Sequence, residues 1–365
     1  MSLDDLSKIR GLLAGLVLGD AYAVAVGPSA GRSGARRGGS RLEGEGPLRI
    51  GVASQLACFS VDALIRAPMR EHDRGVPTKR AVLSWFSLRR WGRLQGLPVA
   101  EDPDASPYSA PQYDNWLSRV EALTQRRGSA PATAAALTQR LGSGSALPPA
   151  GSLGAHALIR TLPFAAAAAR PEGRRWFGEG RTVAAQTHAP AAADLAELLA
   201  RVAAAAWLTG SVSEGVRLAV AMGADIAGSD GVATDGVGSD GGGILHEVLS
   251  AWFQLGPGTG AFAQLPATST AEAAVRGGLL AAMAPPAGSN MLDAFHIGAL
   301  APRPGAVLPV VGALVGAAYG IEALPQHLLA RVEIADVVDD LAHDYAFTLG
   351  ITASRRDLGS WYPTV

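Results

Sequence analysis

Hydrophobic residues recur at helical spacing along most of the chain. Two such faces are Leu6, Ile9, Leu13, Leu16 and Val17, and Leu195, Leu198, Leu199 and Val202. Residues three and four positions apart share one face of an α-helix, so these patterns predict helices with one buried side. The period-two alternation of a half-buried strand is scarce. The pattern therefore predicts an all-α fold, a compact multi-helix bundle.

Proline and glycine punctuate this pattern. Pro190 stands near the start of one apolar run, Gly320 follows the run that contains Tyr319, and Pro325 opens the next. Proline is favoured in the first turn of a helix and glycine just past its end. These positions predict three helix boundaries.

The chain has 365 residues, of which 48% are hydrophobic and 6% aromatic. An all-helical core rich in Ala and Leu can absorb this length, so we expect a single domain over residues 1–365. Glycine, proline and polar residues are concentrated near residues 27–46, 128–151 and 223–243. We predict flexible loops there.

Charge and cysteine content indicate which partners and which cellular location to expect. The chain has 31 basic and 32 acidic residues and a net charge of −1, and no basic stripe is evident, so we expect no nucleic-acid partner. Cys58 is the single cysteine, and acids at Asp4 and Asp5 precede the first apolar run, unlike a secretory signal. We expect a cytoplasmic protein. Asp20 and Pro309 interrupt the two most apolar stretches, so no membrane span is expected.

Four segments carry a family resemblance. They are GLLAGLVLGDA at 11–21, QLA and DAL at 55–57 and 62–64, ALIRTLP at 157–163, and GALVGAAYG at 312–320. Taken in order, they resemble the ADP-ribosylglycohydrolase family. The resemblance implies an all-helical fold whose active members use two magnesium ions to cleave ADP-ribose from modified side chains.

The resemblance also implies where the family's ligands and acid fall, and these positions differ here. A family glutamate after the first segment corresponds to Gly27. The Thr-Asp-Asp-Thr motif corresponds to residues 51–54, where Gly51, Val52 and Ala53 replace the metal ligands and Ser54 is the only hydroxyl.

The later motifs depart from the family in the same way. The Asn-Gly-x-x-Met-Arg-x-x-Pro stretch keeps Arg160 and Pro163 but has His156 in place of its glycine. The Asp-x-Asp-Thr ligands become Arg303, Gly305 and Ala306, and a guanidinium repels a nearby cation. We therefore expect no metal and no cofactor, the family's magnesium site being lost.

The remaining polar residues each have two interpretations. Asp20 is a surviving catalytic acid or a structural hydrogen-bonding group, and His188, in a Thr-His pair that the family shares, is an acid or base or a helix-start residue. Arg303 replaces the cations and holds a diphosphate or ribose, or is simply exposed. His156, Arg160 and Ser54 flank the pocket that would hold this diphosphate or ribose, or His156 and Arg160 support the loop beside it.

Three functions follow. The first is a pseudoenzyme that binds an ADP-ribose-like ligand or a protein partner. The second is a metal-independent hydrolase or lyase on an ADP-ribosyl or nucleoside substrate, with Asp20, His156 or His188 as acid or base. A third is a scaffold or oligomer subunit, suggested by Trp85, Trp91 and Trp116 among charged residues. A shifted alignment that brought Glu45 into the site would restore an acid for catalysis.

Overall fold

The computed structural model describes residues 3–27, 42–75, 77–100, 116–139, 151–171, 173–229, 240–255, 265, 267–285 and 291–363. Its helical elements run in order α1 Leu3–Val26, α2 Val52–Arg74, α3 Arg80–Leu94, a 3₁₀ turn Trp116–Arg119, α4 Glu121–Thr124, α5 Pro131–Thr138, α6 His156–Thr161, α7 Phe164–Ala168, α8 Arg175–Ala185, α9 Pro190–Thr209, α10 Val212–Ser229, α11 Asp240–Leu255, α12 Ala271–Met283, α13 Leu292–Gly298, α14 Pro304–Tyr319, a 3₁₀ turn Ile321–Ala323, α15 Gln326–Leu329, α16 Ala335–Thr348 and α17 Leu358–Trp361.

The predicted all-α class is confirmed. Within the described ranges, β-pairing is limited to two isolated bridges, Leu48 with Val332 and Gly154 with Thr270. The predicted boundaries at Pro190 and Gly320 are also correct, since Pro190 opens α9 and Gly320 follows the last residue of α14. Pro325 likewise directly precedes α15. Local rules for proline and glycine thus locate these helix ends.

A seam of glycines joins α1 to α14 at the centre of the molecule. Gly11 faces Gly316, and Gly15 faces Gly312, so closely that an added Cβ at any of the four would collide with the opposite backbone. Only glycine allows two helix axes to approach this near. The seam fixes the two helices relative to each other.

Other helices enclose this pair. α9, α12 and α16 pack on α1 or α14, and α2 and α6 pack on each other and extend the core outward. One contiguous cluster of buried apolar side chains runs from Ile9 to Tyr362. Burial of these side chains is the main favourable term in folding.

α1 is apolar enough to resemble a membrane span. Its segment Asp4–Val26 passes the length and composition test for crossing a bilayer, and 83% of its most apolar window is buried inside the protein. The core helix of a soluble protein passes the same test, so length and composition alone do not distinguish the two.

The predicted loops are partly wrong in extent. α5 lies inside the predicted loop 128–151, and the predicted loop 223–243 includes the end of α10 and the start of α11. Alanine is the strongest helix former, so the alanines and other helix-forming residues of these segments outweigh the cost of their glycines. Residues 28–41, 140–150 and 230–239 of the predicted loops lie outside the described residues.

The tryptophans are not the exposed anchors that the sequence suggested. Trp85 and Trp91 are buried on α3, and Trp116 is half-buried with Arg356 over its ring. The indoles pack in the core although charged residues flank them in the sequence. The scaffold hypothesis therefore loses the observation that suggested it.

Candidate functional site

The first turn of α2 is held by a buried carboxylate. The Asp20 Oδ2 atom accepts hydrogen bonds from the backbone N–H groups of Gly51 and Ser54, at 2.8 and 2.9 Å, and from the Ser54 hydroxyl at 2.6 Å. The first N–H groups of a helix have no partner within the helix, and an anion there is also favoured by the helix dipole. Asp20 thus caps α2 from α1.

Burial sets the protonation of this region. Asp20 is buried, and desolvation raises the pKa of its carboxyl group, although its hydrogen bonds to Ser54 and Gly51 oppose the rise. Burial also raises the pKa of the Cys58 thiol to about 12, and the nearby Asp20 adds to this rise. Cys58 is therefore a protonated, unreactive thiol, as expected for a core cysteine.

A segment from residues 121–128 lies over the start of α2. The buried Gln55 side chain donates to the carbonyl oxygens of Ala122 and Gln125, both at 2.8 Å. Gly128 sits against the Val52 side chain, close enough that a Cβ there would lie 3.4 Å from a Val52 methyl group. Val52, at a family ligand position, is thus packed under protein rather than open to solvent.

Ion pairing ties the same segment to the far end of the chain. Arg127 donates to the Glu333 carboxylate at 3.0 Å, and Glu333 accepts from the Ile50 N–H at 2.8 Å. Leu48 pairs with Val332 alongside. Three segments distant in sequence therefore meet just before α2 begins.

The first turn of α14 lies beside the same part of α1. Gly19 is in backbone contact with Leu308, one turn into α14, so the part of α1 that carries Asp20 lies along the beginning of α14. Ala306 is buried, whereas Gly305 is exposed and a Cβ there would meet no atom within 4 Å. Arg303 is exposed and donates from Nε to the Ala267 carbonyl at 3.2 Å.

Arg160 forms the centre of a second polar group. Its fully buried guanidinium donates from Nη2 to the Val183 carbonyl and to the Thr187 hydroxyl, both at 2.7 Å. Val183 belongs to the last turn of α8, where the negative end of the helix dipole favours a cation. Nε and Nη1 are buried and have no hydrogen-bond partner among the described residues.

Thr187 connects this arginine to His188. Its hydroxyl oxygen accepts from Arg160 and lies 2.7 Å from His188 Nδ1. The hydroxyl hydrogen is then free to donate to Nδ1, which places the proton of a neutral imidazole on Nε2. The Nε2 atom faces Gly154, where an added Cβ would lie 3.3 Å away.

Both histidines of this group are neutral near pH 7. Burial, and then the positive charge of Arg160, lower the pKa of His156 to about 4 and that of His188 to about 3. Burial also lowers the pKa of Arg160 to about 9. A cation beside an imidazole disfavours a second positive charge, so Arg160 is the charged member.

Backbone pairing brings Arg303 toward this second group. Gly154 bridges Thr270, Ala155 donates to the Ser269 carbonyl, and Arg303 donates to Ala267 on the same short segment. α2 packs on α6, which carries His156 and Arg160. The structure thus places the two polar groups and Arg303 on adjoining elements, with direct side-chain bonds only inside each group among the described residues.

Several features of this site have no signal in the sequence. The cover formed by Gln55 and residues 121–128, and the pair of Arg127 with Glu333, join positions up to 206 residues apart.

Gly27 follows the end of α1 with φ of 83°, and a Cβ added there would meet no described atom. Glu43 and Glu45 are exposed and line a cavity that contains none of the residues above.

Across the described ranges, no three His, Cys, Asp or Glu residues come together as a metal site would require. The family model for ADP-ribosylglycohydrolase matches residues 1–356. No curated protein matches the sequence. Because the family model covers nearly the whole length and the all-helical fold agrees with it, the chain belongs to the ADP-ribosylglycohydrolase family.

Proposed function

We propose that this protein is a pseudoenzyme of the family, one that binds an ADP-ribose-like ligand without magnesium. The observation that carries the proposal is the state of Asp20. It is a carboxylate in direct contact with the first former metal loop, and its Oδ2 already accepts three hydrogen bonds that cap α2. A magnesium ion needs several oxygen ligands in near-octahedral geometry.

The residues at the family's ligand positions fit that ion poorly. Gly51, Val52 and Ala53 have no side-chain oxygen, and the Ser54 hydroxyl donates its hydrogen to Asp20. Arg303 adds a positive charge beside the other loop. Loss of a single ligand can be compensated, but this set leaves too few hard donors for two cations.

A ligand with phosphate groups finds suitable partners nearby. The start of α14 is open at Gly305, where the Gly305 N–H and the helix dipole favour an anion. Pro304 has no N–H, and the Ala306 N–H already donates to the Arg303 carbonyl at 3.0 Å. Arg303 stands at this helix start, and rotation away from the Ala267 carbonyl brings a bidentate donor to a phosphate. The Nε and Nη1 donors of Arg160 and the Nε2–H of His188 supply further donors for ribose or carbonyl oxygens.

A metal-independent hydrolase is the second candidate. The bonds from Arg160 through Thr187 to His188 favour it, because they fix one tautomer of an imidazole. The pKa of His188, about 3, counts against a hydrolase, since a base that weak accepts a proton poorly at neutral pH. Binding without turnover fits these groups better.

Calorimetric titration with ADP-ribose tests the proposal, first in EDTA and then in excess magnesium. We expect the same affinity in both buffers and an affinity at least about fivefold weaker for Arg303→Ala. Arg217→Ala, which removes an exposed arginine from α10, is the matched control and should bind normally.

Metal analysis of the purified protein is the companion measurement. Two stoichiometric magnesium or manganese ions, or ADP-ribose binding that requires magnesium, would overturn the proposal. Release of ADP-ribose from a modified protein in EDTA, lost in His188→Asn, would establish the hydrolase instead.

A further inference from the structure

A cavity lies on the opposite side of α1 from Asp20. Its volume is about 780 Å³, within the range that holds a drug-sized molecule. Tyr22 lines it from α1, and positions two apart on a helix point in nearly opposite directions. The cavity therefore shares a helix with the candidate site but none of its residues.

The walls of this cavity are mainly apolar. Val26 contributes to them from α1, Leu292 from α13, Ala299 from the residue after α13, and Leu328 from α15. Such walls favour an aliphatic or aromatic body, because removing apolar surface from water is favourable by roughly 25 cal/mol per Å². They specify the body of a ligand but not its polar group.

Tyr22 supplies a polar atom inside the cavity. Its side chain is 2% exposed and lines the cavity, and its hydroxyl has no hydrogen bond within the described residues. Burial raises the pKa of this phenol to about 12, so it remains a neutral donor and acceptor. A buried tyrosine hydroxyl usually has a partner, and this one has none among the described residues, so a ligand or a water would satisfy it.

The rim of the cavity is acidic on one side. Glu43 and Glu45 are both exposed and make no ion pair among the described residues. Arg331 lines the cavity together with His296 and His327, and it donates to the carbonyl oxygens of Leu42 and Gly46 and so holds the acidic segment in place. The two carboxylates therefore stand at the mouth with charge available for a cation.

We propose that this cavity binds an amphipathic amine, with its apolar body against Tyr22 and Leu328 and its ammonium group at Glu43 and Glu45. The Tyr22 hydroxyl hydrogen-bonds a polar atom within the body of the ligand. The site is separate from the proposed ADP-ribose site.

Fluorescence titration tests the assignment with two dansyl probes. Dansylcadaverine has an apolar fluorophore and a terminal ammonium group, and dansyl-6-aminohexanoate has the same fluorophore and a carboxylate. We expect saturable emission enhancement for the amine and binding at least about tenfold weaker for the carboxylate. Equal binding of both probes, or no binding of the amine, would overturn the proposal.

Three variants test the residues. Replacing Glu43 and Glu45 together by Gln should weaken amine binding about tenfold and should not weaken binding of the carboxylate probe, which no longer meets two like charges. Replacing Glu214 and Glu272 by Gln removes the same net charge from α10 and α12, away from the cavity, and should have no effect. An equal loss in both double variants would reduce the effect to bulk charge and reject the site.

Ala299→Trp fills the cavity and should abolish binding of the amine. Tyr22→Phe should weaken it about threefold, the cost of one neutral hydrogen bond. Circular dichroism and ADP-ribose titration of both variants show whether the fold and the first site are unchanged. Full amine binding by a folded Ala299→Trp variant would contradict the proposed location.

Discussion

The first turn of α2 and the last turn of α8 each hold a buried charge, of opposite sign. Asp20 lies at the N–H end of α2 and Arg160 at the carbonyl end of α8, and neither has an oppositely charged partner in the part of the chain that the structure describes. Helix ends stabilise such charges through hydrogen bonds and the dipole. In both sites, the end of a helix stabilises a buried charge.

The two sites differ in how many polar atoms of the charged group have a hydrogen-bond partner. Three donors converge on one oxygen of Asp20, whereas two N–H positions of Arg160 remain without a described partner. A buried donor without an acceptor costs about 1–3 kcal/mol. The Asp20 oxygen that caps α2 thus accepts three structural hydrogen bonds, whereas Arg160 retains two donors without a described acceptor.

Asp20→Ala should have the largest effect on stability. It leaves the N–H groups of Gly51 and Ser54 and the Ser54 hydroxyl buried without an acceptor, and we expect the free energy of unfolding to fall by about 4 kcal/mol. Asp20→Asn retains an acceptor oxygen and should lose less than half as much. Urea denaturation measures both, and a loss below about 1 kcal/mol for Asp20→Ala would contradict the capping role.

Arg160→Met should have the second-largest effect on stability. It removes two strong hydrogen bonds and a buried charge but keeps apolar volume, and we expect a loss of about 3 kcal/mol in the free energy of unfolding. The unsatisfied Nε and Nη1 donors disappear with it, which offsets part of the loss. A loss larger than that of Asp20→Ala would contradict the view that Arg160 is the less satisfied charge.

Acidification should act on the two regions with opposite signs. The pKa of His188 is lowered from 6.5 to about 3, so between these values the unfolded chain binds the extra proton and stability falls as the pH falls. At pH 5 this amounts to about 2 kcal/mol for His188 alone. The pKa of Asp20 is raised, so its protonation favours the folded state at low pH and that stability is lost as pH rises.

Two variants separate these contributions in denaturation measured from pH 7 to pH 4.5. His188→Asn retains an acceptor for Thr187 and should flatten the loss of stability on acidification. Asp20→Asn removes the opposing term and should steepen it. If neither changed the pH profile, the assignment of these pKa shifts would be wrong.

Much of the frame could be predicted from local sequence. The periodic apolar faces and the residues Pro190 and Gly320 determine helices through interactions within a few positions, so they are visible without tertiary contacts. The glycines of the seam between α1 and α14 lie within two of the segments that resemble the family. The replaced ligand positions are equally a property of residue identity.

The site itself depends on contacts that no local pattern records. That Asp20 caps a helix 34 residues away, and that the Val183 carbonyl meets Arg160, follow only from how α1, α2, α6 and α8 pack. Residues 128–151 contain the helix α5 although Ser, Pro and Gly are frequent there, because the alanines between Pro131 and Thr138 favour a helix. Burial and packing, rather than residue type, decide which polar groups form structural hydrogen bonds.

Thr187→Val should have the smallest effect, because it removes one hydroxyl that joins Arg160 to His188. We expect about 1 kcal/mol of lost stability, the value of a typical buried hydrogen bond, with Thr187→Ser retaining the wild-type value. Nitrogen-15 chemical shifts of the imidazole give a sharper measure: His188 should carry its proton on Nε2 in the wild type and in Thr187→Ser, and lose this preference in Thr187→Val. A wild-type proton on Nδ1 would reverse the donor assignment, and Arg160 would then end its hydrogen-bond network at Thr187 instead of extending it to the imidazole that faces Gly154.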